Sequence, residues 1–240
     1  WIGCLLIVIS WGLYCYIHQL RAGLGVTAMR NYVSWGLYIS TFVFFIGISH
    51  SGTLVSAILR ITKQEWRRPI TRSAELLTFV SLLFGGIMPI IDLGRPDRLA
   101  NLVIFGRIQS PLMWDIVSIC TYFVGSSVFL FLPMIPDMAL CRDKLTVCNT
   151  RFKKFRKRLY TFMAIGWKGT KSQWHRLEKS MTIMTIVIIP VAVSVHTVVS
   201  YIFAMTLRPG WNSTVFGPYF VAGALYSGSA GVILGMAAFR

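Results

Sequence analysis

Val33–Leu59 reads VSWGLYISTFVFFIGISHSGTLVSAIL, 27 consecutive residues without Lys, Arg, Asp or Glu. A helix crossing the roughly 30 Å hydrocarbon core of a bilayer needs about 20 such residues. The run does not alternate with period two, as a strand of a membrane barrel would. In lipid, a helix satisfies all its backbone hydrogen bonds within one segment. The stretch therefore predicts a membrane-spanning α-helix with one ionisable side chain, His50, part-way along it.

Five further runs share this character: Trp1–Leu20, Leu76–Ile91, Ile116–Pro136, Ser180–Leu207 and Pro209–Phe239. The shortest, Leu76–Ile91, reaches span length when Ser73, Ala74 and Glu75 sit in the interface. The whole chain of 240 residues is 55% hydrophobic and only 13% charged. Soluble domains carry about 25% charged residues, and disorder needs low hydrophobicity. The net charge of +16 invites a nucleic-acid reading. The charge is confined to segments between apolar runs, however, so no nucleic-acid partner is expected. The expected fold is an all-α polytopic membrane protein of about six transmembrane helices. The chain opens inside one apolar run at Trp1 and closes at Arg240 behind another, which suggests a fragment.

Charge then orients the spans. With the N-terminus on side A, 18 of the 24 Lys and Arg fall on side A and six on side B. Twelve of the 18 lie between Arg142 and Lys179, in a long segment that counts little for orientation. The short 60–72 loop, with Arg60, Lys63, Arg67, Arg68 and Arg72, points the same way. The positive-inside rule makes side A cytoplasmic and side B periplasmic or extracellular. Within the long segment, residues 151–160 read RFKKFRKRLY. This is either a basic interfacial segment on anionic lipid or an ordinary positive loop that fixes orientation. Cys4, Cys15, Cys120, Cys141 and Cys148 show no CxxC and no metal-ligand spacing. Neither disulfides nor an iron–sulfur cluster are expected in this chain.

The second and sixth spans echo each other. Trp35-Gly36-Leu37-Tyr38 parallels Phe216-Gly217-Pro218-Tyr219, and the same offset maps Gly47 onto Gly228. Both helices run from B to A, as in a parallel repeat. The expected organisation is an extra N-terminal helix (1–30), a four-helix bundle (31–208) with a basic loop at 137–179, and the first helix of a second bundle (209–240).

Ionisable groups inside spans are costly and are functional candidates by default. His18 ends the first span on side B. Asp92 closes the third span there and Asp115 opens the fourth. Asp115 suits a helix N-terminus; Asp92, at a C-terminus, faces the unfavourable dipole end and calls for a partner. Arg95, in Asp92-Leu93-Gly94-Arg95-Pro96, is the nearest candidate. His196 stands twelve residues before Arg208, at moderate depth from side B, and His50 stands ten before Arg60, in the A-side half. Glu75 opens the third span on side A. Carboxylates and imidazoles in such a setting can hydrogen-bond a quinone head group and take its protons. Simple interhelical hydrogen bonding is the plainer role for the two histidines, and helix-end capping for the two aspartates.

At these residues the sequence resembles the NrfD/polysulfide-reductase membrane-subunit family, in particular the quinol-binding subunit of alternative complex III. The resemblance rests on His50-Ser51-Gly52-Thr53 with LVSAILR, WRRPITRSAE, Asp92-Leu93-Gly94-Arg95-Pro96 and Ser110-Pro111-Leu112-Met113-Trp114-Asp115. Ser194-Val195-His196-Thr197 and Arg208-Pro209-Gly210-Trp211 through Gly217-Pro218-Tyr219-Phe220 complete it, in family order. It differs at Asp92, where His is usual, and at Ile202, where Asp is frequent.

The resemblance implies two four-helix bundles with quinone (menaquinone or ubiquinone) bound in the first, near the periplasmic face. It implies electron exchange with a periplasmic, ferredoxin-like iron–sulfur subunit. A second NrfD-like membrane subunit and a multihaem cytochrome c are further partners it suggests, with proton translocation in some members. On this reading Asp92, Asp115 and His196 act on the quinol, and His50 and Arg95 support them. The expected location is the bacterial inner membrane. Two alternatives stand beside it. A b-type cytochrome needs paired axial histidines, and His50 and His196 are expected at different depths. A transporter or a structural protein would show broken helices around a midplane site, and only Pro190 interrupts a span centrally.

Overall fold

The computed structural model describes residues 1–29, 35–65, 68–145, 152–205 and 213–238. Eight α-helices follow in order among them: α1 (Ile2–Ala22), α2 (Leu37–Ile61), α3 (Arg68–Asp92), α4 (Leu99–Ile104), α5 (Pro111–Lys144), α6 (Lys153–Met163), α7 (Lys171–Ala204) and α8 (Phe216–Ala238). Short 3₁₀ turns at Leu24–Thr27 and Pro96–Arg98 precede α2 and α4. There is no strand among the described residues. Six of the helices are long and apolar enough to cross a bilayer, and they correspond to the six apolar runs. The chain is thus an all-α, multi-pass membrane protein. Arg30, Cys148 and Arg208–Trp211 lie outside the described residues, as do both expected domain boundaries, at 30/31 and 208/209.

Helix ends depart from the apolar runs on side A. The apolar reading stops the fourth span at Pro136 and starts the fifth at Ser180. In the structure α5 continues to Lys144 and α7 already begins at Lys171, each 34 residues long. At 1.5 Å per residue each is about 51 Å, well beyond a bilayer core. Much of the expected loop 137–179 is therefore helical, α6 included. Hydropathy marks where lipid ends, not where helical hydrogen bonding ends. α7 has a local start signal that hydropathy ignores. The Thr170 hydroxyl accepts from the Gln173 amide N–H at 3.3 Å, and Gln173 Oε1 accepts from the Thr170 N–H at 3.4 Å.

α2 is the central helix. It packs against α3, α7 and α8, while α5 packs against α7, α3 and α6. Phe42, Ile46, Leu82, Tyr122, Val195, Val199 and Phe203 form the principal core. Small residues set the closest approaches, as expected where helices meet without a hydrophobic drive. A Cβ on Gly228 would stand 2.5 Å from the Gly47 carbonyl oxygen and against Ser51. The two glycines related by the sequence echo thus meet at one crossing of α2 and α8. A Cβ on Gly52 would stand 2.9 Å from the Ala74 carbonyl oxygen and against Thr78 Oγ1, at the crossing of α2 and α3.

These contacts make a prediction. Gly52→Ala and Gly228→Ala should each destabilise the protein by about 1–3 kcal/mol through overpacking. Gly86→Ala, with nothing within 4 Å of its added Cβ, should be near neutral. Thermal unfolding in detergent checks this; equal melting temperatures for all three would contradict the packing described.

Candidate functional site

The B end of the bundle holds a cleft of about 500 Å³ between the end of α3, α4, the start of α5, and α2 and α7. Ligand pockets commonly fall in this size range. Its walls are mostly apolar: Trp35, Ile39 and Phe42 on one side, Leu99, Leu102 and Val103 on another, Val199, Ile202 and Phe203 on a third. Two carboxylates interrupt them, Asp92 and Asp115. The Oδ1 atom of each is buried and has no hydrogen-bond partner among the described residues. An acceptor held this way costs free energy unless a donor arrives.

Local sequence places both. Pro111 opens α5, where its missing N–H is harmless, and Asp115 follows one turn later. Pro89 lies within the last turn of α3, which ends at Asp92. Gly94 then turns the chain at φ 65°. That turn carries Arg95 away: it is exposed, does not line the cleft, and makes no ion pair with Asp92. The expected Asp92–Arg95 neutralisation is not present. Cys120 lines the cleft five residues after Asp115 on α5, and its side chain is exposed.

His196 and His50 do not line the cleft. They are completely buried and lie against each other, ring centroids 4.1 Å apart and planes tilted by 38°. None of their four ring nitrogens has a hydrogen-bond partner among the described residues. This corrects the expectation that the two sit at different depths. Counting from the nearest arginine assumes helix ends in a common plane, and α2 and α7 do not end in one. His196 sits one turn below Val199, a wall residue. Phe220 stacks beside His196 at 5.5 Å and beside the wall residue Phe203 at 6.1 Å. The histidine pair therefore lies directly beneath the cleft floor. It does not fit a haem: an iron between two imidazole nitrogens at about 2 Å each would hold the rings farther apart than direct contact.

Polar groups flank the pair and continue below it. The Tyr122 hydroxyl lies 2.8 Å from Thr53 Oγ1 and accepts from Ser49 Oγ at 3.4 Å. Thr78 Oγ1 donates to the Ser49 carbonyl at 3.1 Å. Deeper still, Ser56 Oγ donates to Glu75 Oε1 at 2.6 Å and Arg60 Nη2 to the same oxygen at 3.4 Å. Glu75 is 2% exposed, so this carboxylate is packed inside the bundle. The Arg72–Asp137 ion pair closes the series at the A-end surface. Tyr122, Ser49, Thr53 and Ser56 were not sequence candidates. The signal for three of them was present, since positions 49, 53 and 56 share one face of a helix.

Among the described residues, the chain is a multi-pass helical membrane protein with an acid-lined apolar cleft at one end and a buried polar series beneath it. Residues 25–240 match the family described as Polysulphide reductase, NrfD, and the chain belongs to that family. It is 29% identical to a putative dimethyl sulfoxide reductase membrane subunit of Halobacterium salinarum, over 95% of this chain and 48% of that protein. It is 28% identical to a selenate reductase subunit of Mesobacillus selenatarsenatis, over 88% of this chain and 50% of the relative. A menaquinone reductase integral membrane subunit of Nitratidesulfovibrio vulgaris matches at 28% over 41% of this chain and 23% of its own length. The chain thus spans about half the length of the first two relatives.

Proposed function

We propose that this chain is the quinone-binding membrane subunit of a respiratory oxidoreductase, and that the B-end cleft is its quinone site. The observation that carries the proposal is the pair of buried, unpartnered carboxylate oxygens of Asp92 and Asp115 in an otherwise apolar cleft. A quinol bound there supplies two electrons and two protons when oxidised. Asp92 and Asp115 accept hydrogen bonds from the head group and take up its protons; the apolar walls exclude water and cover the ring and the start of the tail. The ligand is menaquinone or ubiquinone; relatives named as menaquinol oxidoreductase and menaquinone reductase membrane subunits support a quinone there.

His196 and His50 form the next stage, below the floor. Tyr122 with Thr53 and Ser49, then Glu75, extend a proton route toward side A. The basic A end faces the cytoplasm and the cleft faces the periplasm, by the charge rule, in a bacterial inner membrane. There a periplasmic, ferredoxin-like iron–sulfur subunit docks, with a second NrfD-like subunit and a multihaem cytochrome c as further partners. α6 meets anionic lipid: Phe155, Leu159 and Phe162 are exposed along one stripe, among basic residues. Identification of the proteins in the purified native complex distinguishes alternative complex III from a reductase of the relatives' kind.

Cys120 provides a direct test. In a variant with Cys4, Cys15, Cys141 and Cys148 replaced by Ser, a menaquinone analogue should slow maleimide labelling of Cys120 at least about tenfold at 100 times its Kd. An unchanged labelling rate, with unaltered quinol oxidation in Asp92→Ala, would remove the assignment.

A further inference from the structure

Helix α1 meets the rest of the molecule through one buried side chain. Gln19 is 2% exposed, and it is the only buried residue of α1. Its amide forms a bridge. Gln19 Oε1 accepts from the Tyr38 hydroxyl at 2.6 Å, and Gln19 Nε2 donates to the Ile91 carbonyl at 3.2 Å. Ile91 is the residue before Asp92, in the final turn of α3. The last four carbonyls of a helix have no partner within it, and at a membrane boundary an unmet carbonyl is costly. Leu93 N–H serves the Pro89 carbonyl at 3.1 Å. Ile91 is served from another helix, by Gln19.

Gln19, Tyr38 and Ile91 do not themselves line the cleft, but both ends of the bridge adjoin residues that do. Tyr38 lies between Trp35 and Ile39, which line it, and Asp92 lines it directly. Beyond α1, Leu24 covers the turn that follows Asp92. A Cβ on Gly94 would stand 2.8 Å from Leu24 Cγ. Residues 91–94 are thus held by a hydrogen bond from Gln19 and by packing from Leu24.

We infer that Gln19 and Tyr38 are positioning residues of the cleft: they act through the end of α3 to set where the Asp92 carboxylate points. The inference rests on the quinone reading of that cleft. A bridge that merely glued α1 to the bundle would affect stability alone. A positioning bridge also changes how the head group is held.

The test uses the intact purified complex with a water-soluble menaquinol analogue. Tyr38→Phe removes one hydrogen bond of the bridge and Gln19→Leu removes both, each at similar volume. Tyr38→Phe should raise KM about fivefold, the equivalent of one neutral hydrogen bond, and Gln19→Leu at least as much, with kcat within about twofold of the parent in both. That split marks lost ground-state binding. Complex yield and melting temperature should stay close to the parent's. Unchanged KM in both variants, alongside an inactive Asp92→Asn, would overturn the positioning role and leave the quinone site standing. An Asp92→Asn complex with full activity would remove the quinone site and this inference with it. If Gln19→Leu does not assemble, Tyr38→Phe decides alone.

Discussion

Arg60→Met should cost the protein about 3–5 kcal/mol, and adding Glu75→Met should recover most of the loss. The Glu75 side chain is 1% exposed and that of Arg60 12%. The guanidinium donates to Glu75 Oε1 at 3.4 Å, lies 3.7 Å from Met181 Sδ, and sits 5.7 Å above the Phe129 ring. Removing Arg60 alone leaves a carboxylate in a low-dielectric interior with the Ser56 hydroxyl as its donor. Removing both charges takes away the desolvation cost together with the attraction. Thermal unfolding of the two single variants and the double variant measures the coupling as a cycle. Losses that simply add would contradict a buried pair. Arg72→Met is the internal comparison. Its partner Asp137 and Arg72 itself are 44% and 46% exposed, so that pair should contribute no more than about 1 kcal/mol.

Asp115→Asn should lower quinol turnover by about 10²–10⁴-fold if the cleft is the quinone site, because an amide cannot take up the proton. Asn keeps the shape, and an amide oxygen can still accept a hydrogen bond from the head group, so KM should move far less than kcat. Asp92→Asn should act in the same direction. His196→Gln tests the inner stage: with the cleft intact, it should slow turnover without changing protection of Cys120. Turnover near the parent's in Asp115→Asn would place the chemistry elsewhere.

Much of this was legible in one dimension, and the exceptions have physical causes. Asp92 and Asp115 flank a single B-end connection, so their lying at the same end of the bundle follows from the spans alone. His50 and His196 are far apart in sequence, and their contact depends on how deeply α2 and α7 each run past the boundary. Arginine positions report charge placement, not helix depth. Arg95 looked like the partner of Asp92 because it is near in sequence, but Gly94 at positive φ turns the chain between them. In α1 the eye goes to His18, which is exposed, while its uncharged neighbour Gln19 is the buried contact. One residue is a rotation of about 100° on a helix, and only the direction of the bundle says which of the two faces it.

By itself the sequence determined the class of fold, the number and rough extent of the spans, and which of their ends share a side. These follow from composition and charge along a line, because lipid accepts long uncharged helices and rejects most else. The tertiary structure decided which polar groups meet. Helix rotation, the extension of α5 and α7 beyond the apolar runs, and glycine-set crossing distances paired His50 with His196 and Glu75 with Arg60. They also left Asp92 and Asp115 facing an open cleft. Those outcomes depend on angles and depths between helices, which hydropathy along the chain does not contain.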